Sequence, residues 1–167
     1  MDKKYKNLAI ELSEISNYFG QRYDLIQAAG GNSSIKLGNT MLIKSSGYSM
    51  AELSQNNGYS LVDNSKLINY LLDIGKNKIT KTDENNSFKK LKLSLIEGGS
   101  PSIETFAHSL LNKYCIHLHP IGSNMLTVQK NSKLVINKLF KDEIGNKQVY
   151  YIEYKTPGVS LAQAILK

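Results

Sequence analysis

Residues 101–120 read PSIETFAHSLLNKYCIHLHP, and this stretch decides the fold. Ser102, just after Pro101, is placed to cap a helix that carries Glu104 and His108. Residues 114–119 then form a strand that stops at Pro120. In a strand, residues i and i+2 point to one face, so His117 and His119 project side by side while Ile116 and Leu118 turn to the core. Two imidazoles so placed can chelate a divalent transition ion, or they can be two half-exposed histidines on a sheet edge. A helix–strand hairpin can fold Glu104 back over the histidine face. Beside a metal, a glutamate is a further ligand, a general acid/base, or both in turn; away from one, it is a solvated first-turn residue favoured by the helix dipole. His108 shares the Glu104 face at i+4, as a ligand or as a packed or Glu-bonded helix residue.

Upstream, Leu8, Leu12, Ile15 and Phe19 recur at helical spacing and Gly20 stops the helix. Residues 33–37 and 41–44 read as two strands joined by a Gly38-Asn39 turn. Another strand covers 58–62, followed by a helix over 66–74 capped by Asn64 or Ser65. Residues 75–90 are polar and aperiodic and predict an exposed loop. Leu91, Leu93 and Leu95 alternate with Lys92 and Ser94, predicting a half-buried strand. Downstream, a helix is expected over 123–129, a strand over 148–154, a turn at 156–158, and a last helix beginning near Leu161. Helices and strands alternate throughout, so the class is α/β or α+β with a layered sheet.

Length and composition bound the function. A chain of 167 residues with 41% hydrophobic content predicts one domain with a real core. The one cysteine, Cys115, excludes an intramolecular disulfide and any CxxC zinc site. No apolar run is long enough to span a membrane and no signal-peptide pattern opens the chain, so a soluble, cytoplasmic protein is expected. The net charge is +7, yet Arg22 is the only arginine among 21 basic residues. Base readout and bidentate phosphate recognition lean on arginine, and the lysines are scattered, so a solvated lysine-rich surface is favoured over nucleic-acid binding.

Two small-residue turns complete the inventory. AAGGNSS at 28–34 and SSGYS at 45–49 offer backbone amides and hydroxyls suited to an anion, though each can be simply a turn. Neither matches a P-loop or a G-x-G-x-x-G fingerprint.

In order, GGNSSIK, IKSSG, PSIETFAHSLL and IHLHP resemble the class II aldolase/adducin family, over roughly residues 5–167. PSIET, HLHP and the final YKTPG are similar to the aldolase domains of rhamnulose-1-phosphate aldolase/dehydrogenase-type proteins. The resemblance implies a three-layer α/β/α fold around a largely antiparallel sheet. It implies that His117 and His119 are metal ligands, usually to zinc, and that Glu104 is the catalytic glutamate, which also touches the metal in some members. Gly31, Asn32, Ser46, Gly47 and Ser102 match the substrate-phosphate turns. The implied reaction is retro-aldol cleavage of a ketose 1-phosphate through a metal-stabilised enediolate, giving dihydroxyacetone phosphate and an aldehyde. Epimerisation or dehydration of a sugar phosphate would use the same site. Homo-oligomers, commonly tetramers, are also implied, with tyrosines such as Tyr48, Tyr150, Tyr151 and Tyr154 as candidate proton donors.

Two departures from the family pattern stand out. No histidine follows His119, where the family carries a third metal histidine, so an incomplete aldolase completed by an accessory chain, or a non-catalytic adducin-like interaction module, is the rival expectation. Ile103 stands where many phosphate-using members have a second hydroxyl residue.

Overall fold

The computed structural model describes residues 3–75, 79–146 and 149–166. Helix α1 (Lys3–Gly20) ends at the expected glycine. Strands β1 (Asn32–Leu37) and β2 (Thr40–Lys44) form a tight hairpin, with Gly38 in the left-handed region that such turns favour. β3 (Tyr59–Asp63) runs into α2 (Asn64–Ile74). Asp63 caps α2, accepting from the backbone amides of Ser65 and Lys66, so the cap lies one residue before the expected Asn64 or Ser65.

The segment read as a loop and then a strand is instead α3 (Lys81–Ser94), followed by β4 (Leu95–Gly98). A Thr80–Asp83 capping box opens the helix. Leu91 is buried while Leu93 is 67% exposed, a helical division that a half-buried strand would not produce. Positions 76–78 of that expected loop lie outside the described residues. α4 (Thr105–Leu110) and β5 (Tyr114–His117) follow, the strand ending two residues early. Next come α5 (Ile121–Thr127), α6 (Ser132–Leu139) and α7 (Lys141–Gly145), the last two unforeseen. Residues 149–154 form no strand; Tyr151 packs back on α6, its hydroxyl 3.1 Å from Ser132 Oγ. Gln148 lies outside the described residues. α8 (Val159–Ile165) is the expected last helix.

The sheet order is β4-β3-β2-β1-β5, antiparallel throughout. Strand alternation sends Ile35, Leu42 and Leu61 to one face, against Leu8, Ala9 and Leu12 of α1. Met41, Ile43 and Val62 point the other way, against α2, α3, Phe106 of α4, and Val159 and Ala162 of α8. Helices thus cover both faces, giving three α/β/α layers. β5 is an edge strand, and this overturns one expectation: Ile116 is 37% exposed there instead of turning to the core. No helix among the described residues is long and apolar enough to cross a membrane.

Candidate metal centre

The site forms where the front of α4 meets the β1–β5 pairing. The turn before α4 is tied to the end of β2 by an isolated bridge between Ser45 and Pro101. Glu104 occupies the position just before the helix, and Ser102 Oγ accepts from its backbone amide at 3.3 Å. The far end of α4 is clamped to the sheet. Lys36 Nζ of β1 donates to the carbonyls of His108 at 2.6 Å, Leu111 at 2.9 Å and Asn112 at 2.9 Å. A lysine there satisfies carbonyls that the helix leaves unpaired and complements the negative end of its dipole.

β5 pairs with β1 in the register Asn32↔His117 and Ser34↔Cys115. Side chains of cross-strand partners share a face, so Asn32 and His117 both meet Glu104. Asn32 Nδ2 donates to Glu104 Oε2 at 3.0 Å, and His117 Nδ1 stands 2.9 Å from Oε1. Beyond the strand, His119 is held by its backbone amide donating to Leu25 O at 2.9 Å. Its Nε2 lies 3.2 Å from His117 Nε2. Gly30 is needed beside it, since a Cβ there would come within 2.9 Å of His119 Nδ1.

Electrostatics fix the protonation pattern. Burial pushes the Glu104 carboxyl up, but the hydrogen bond and charge of His117 and the Asn32 amide outweigh it and hold the group down at about 2. A carboxylate can only accept, so Nδ1 of His117 carries the proton. In neutral His117 that leaves the Nε2 lone pair facing His119. Burial, aided by the charge of His117, also lowers His119, favouring the neutral form that a metal requires.

One donor atom each from Glu104, His117 and His119 lies within 4.8 Å of the others. Ligands of a tetrahedral zinc stand about 3.4 Å apart, given bonds of about 2.0–2.1 Å. The histidine pair, 3.2 Å apart, is close to that spacing, and the whole set lies within 4.8 Å. Two neutral imidazoles and a carboxylate are also the donor chemistry of zinc and its neighbours, so the residues fit a divalent transition ion.

The other expected residues fall in two places. Asn32 is fully buried and spends its amide on Glu104, while its Oδ1 accepts from Ser33 N at 2.8 Å. Gly31 (φ +73) is packed against Ile26, Met50 and the His117 carbonyl, with no room for a side chain. Ser46 and Ser102 line a separate pocket, and Gly47 (φ +86) faces open space at the tip of its turn. His108 is 2% exposed and bonds Ser34 Oγ at 2.8 Å through Nδ1, a packed histidine outside the Glu104, His117 and His119 group.

Sequence reasoning passed over Lys44. It lies almost wholly buried at the end of β2, donating from Nζ to Tyr48 O at 2.6 Å. Burial lowers its pKa, and the charges of Glu104 and Glu52 partly restore it. The signal was available: Lys44 continues the Leu42 face of a strand, where a lysine must be buried.

A carboxylate and two imidazoles converge beside an antiparallel sheet with helices on both faces, an α/β fold with one group of side chains that could hold a metal ion. The family model for the Class II Aldolase and Adducin N-terminal domain matches residues 10–167, and the chain belongs to that family. Among solved structures it is similar to the N-terminal class II aldolase domain of a conserved Thermoplasma acidophilum protein. The TM-score is 0.76 at 23% identity, over 93% of this chain and 72% of that one. It is also similar to Escherichia coli YgbL, itself only proposed to be an aldolase, epimerase or decarboxylase. There the TM-score is 0.52 at 20% identity, over 77% of this chain and 51% of that one. At these identities the likeness speaks for the fold. Among curated proteins none matches.

Proposed function

We propose that the chain is a zinc-dependent, aldolase-type carbon–carbon lyase that cleaves a ketose 1-phosphate. The convergence of Glu104, His117 and His119 carries this reading, since a purely structural domain has no use for it. His117, His119 and Glu104 would hold the ion. When bound, the ion supplies Lewis acidity at the substrate's carbonyl and hydroxyl oxygens.

The chain's own residues do the rest. Asn32 and His117 aim the two Glu104 oxygens and keep the carboxylate ionised. Glu104 takes the hydroxyl proton from the carbon that leaves as aldehyde. The electron pair of the breaking carbon–carbon bond passes into the keto fragment, and the proton is returned to its carbon, releasing dihydroxyacetone phosphate. Epimerisation by cleavage and re-addition begins with the same proton transfer, whereas dehydration begins with loss of a carbon-bound proton beside the carbonyl and shares only the enolate. Gly31, Asn32, Ser46, Gly47 and Ser102 are the proposed phosphate-side residues. Exposed Tyr114 and Ile116 on β5, with Met125 and Val128 on and after α5, support a homo-oligomer.

A second reading is a non-catalytic, adducin-like interaction module. The depressed Glu104 favours it, because a carboxyl near 2 is a weak base at neutral pH. Metal content separates the two. Purified protein is expected to hold near-stoichiometric zinc that a His117→Ala/His119→Ala variant loses, and to cleave ketose 1-phosphates. A chain that takes up no metal from added zinc refutes the lyase and supports the module.

A further inference from the structure

The loop before β3 carries a reactive pair of residues that the metal centre does not use. Asn57-Gly58 is the only Asn-Gly pair in the chain. An isolated bridge between Ser54 and Asn57 closes the loop just ahead of the strand. Asn57 is exposed, so water reaches its amide. Gly58 holds φ +91, and a Cβ there would stand 3.3 Å from Leu53 and 3.4 Å from the Tyr48 ring. Backbone shape and packing therefore both keep a glycine after the asparagine.

Without a side chain, the Gly58 nitrogen lies open to its neighbour. It donates to Asn57 Oδ1 at 2.9 Å, which lays the side-chain amide against that nitrogen. Asn57 is the one hydrogen-bond partner of Gly58 N among the described residues, so no backbone bond has to break first. Tyr48 donates its hydroxyl to the same Oδ1 at 3.0 Å. Asn32 has the same local arrangement, with Ser33 N donating to its Oδ1 at 2.8 Å, but it is fully buried in β1 and a side chain follows it.

We infer that Asn57 is a site of spontaneous covalent modification, its amide carbon attacked by the Gly58 backbone nitrogen while the Tyr48 hydroxyl holds the amide oxygen. Hydroxide takes the proton from the nitrogen, and the new nitrogen–carbon bond closes a five-membered ring. The side-chain carbon–nitrogen bond then breaks, and ammonia leaves with a proton from water, restoring the hydroxide. Water opens the resulting succinimide at either carbonyl, giving aspartate or isoaspartate. The net change is amide and water to carboxyl and ammonia. Tyr48 faces the oxygen that turns negative in the tetrahedral intermediate, where a fixed donor lowers the barrier. Either product puts a negative charge beside Tyr48. Isoaspartate also lengthens the main chain by a methylene, next to the 2.8 Å bond from Ser45 N to Gly58 O that ties this loop to the end of β2. None of these steps depends on the lyase reading.

Peptide mass spectrometry after incubation in mildly alkaline buffer, with enzymatic methylation to count isoaspartate, reads each asparagine separately. The native chain, Asn57→Gln and Tyr48→Phe are compared, each folded and in urea. In the folded native chain the product is expected to gather at position 57, to form faster as pH rises, and to be missing there in Asn57→Gln. Tyr48→Phe keeps the ring and loses one hydrogen bond, so the folded variant should react about three- to tenfold more slowly. In urea it should match the native chain, which ties the difference to the folded contact. A folded native chain in which Asn57 reacts no faster than the other exposed asparagines overturns the site, and needs neither variant. A folded Tyr48→Phe that reacts at the native rate, or one equally slow in urea, overturns the part assigned to Tyr48.

Discussion

Acid should unfold this protein through His108 before its carboxylates titrate. The imidazole is 2% exposed, its Nδ1 is engaged by Ser34 Oγ, and its Nε2 has no hydrogen-bond partner among the described residues. Burial therefore drives its pKa down from 6.5 to about 4, although the Glu104 charge works the other way. The unfolded chain takes up this proton below 6.5 and the folded chain only near 4, so falling pH in that window favours unfolding. At 1.36 kcal/mol per pH unit the whole effect is about 3 kcal/mol, of which about 2 kcal/mol is lost between pH 7.5 and pH 5. With a urea slope of about 2 kcal/mol per molar, the midpoint falls by about 1 M. Urea titrations at pH 7.5, 6 and 5 measure this directly. His108→Gln keeps an amide for Ser34 and should flatten the dependence, leaving the smaller same-sign share of half-exposed His119. A native midpoint unchanged from pH 7.5 to 5, or a His108→Gln variant with the full native slope, would refute the reasoning.

Other outcomes follow from named contacts. Lys36→Met removes three charge-assisted bonds at the end of α4 and should cost about 1.5–3 kcal/mol in urea unfolding, with Lys36→Arg recovering part of it. Leu91→Ala should cost about 2–4 kcal/mol while Leu93→Ala stays within about 0.5 kcal/mol; equal losses would contradict a helix there. Asn32→Asp sets a second carboxylate against Glu104 Oε2. It should raise the Glu104 pKa, measurable by carbon NMR titration of the carboxyls, and cost about 1–3 kcal/mol at neutral pH.

Much of this was legible in the chain. The Gly38-Asn39 hairpin and the α1 period are local signals that the structure keeps, while the H-x-H strand is kept only as far as His117, with His119 beyond its end. The helix–strand hairpin that swings Glu104 over the histidines was also readable, because twelve residues leave the chain few ways to run. What misled was short-range alternation. Leu91, Leu93 and Leu95 repeat at a spacing of two, but only Leu91 reaches the core, and the Thr80–Asp83 capping box was the better signal. Positions 149–154 carry strand-forming residues and yet find no strand to pair with, packing on α6 instead. Ile116 showed the apolar alternation of a buried strand, but the sequence did not reveal that β5 would stand at the sheet edge.

The bond between Asn32 and Glu104 joins residues 72 positions apart. Neither that bond nor the Asn32–His117 register exists until β5 docks on β1, so the centre depends on contacts far apart in the sequence. An ion that grips only the finished arrangement acts as a thermodynamic latch: each tenfold rise of free ion above its dissociation constant adds about 1.4 kcal/mol to the native side of the balance. For the metal enzyme proposed above, metal supply would then govern how long the chain survives as well as how fast it turns over.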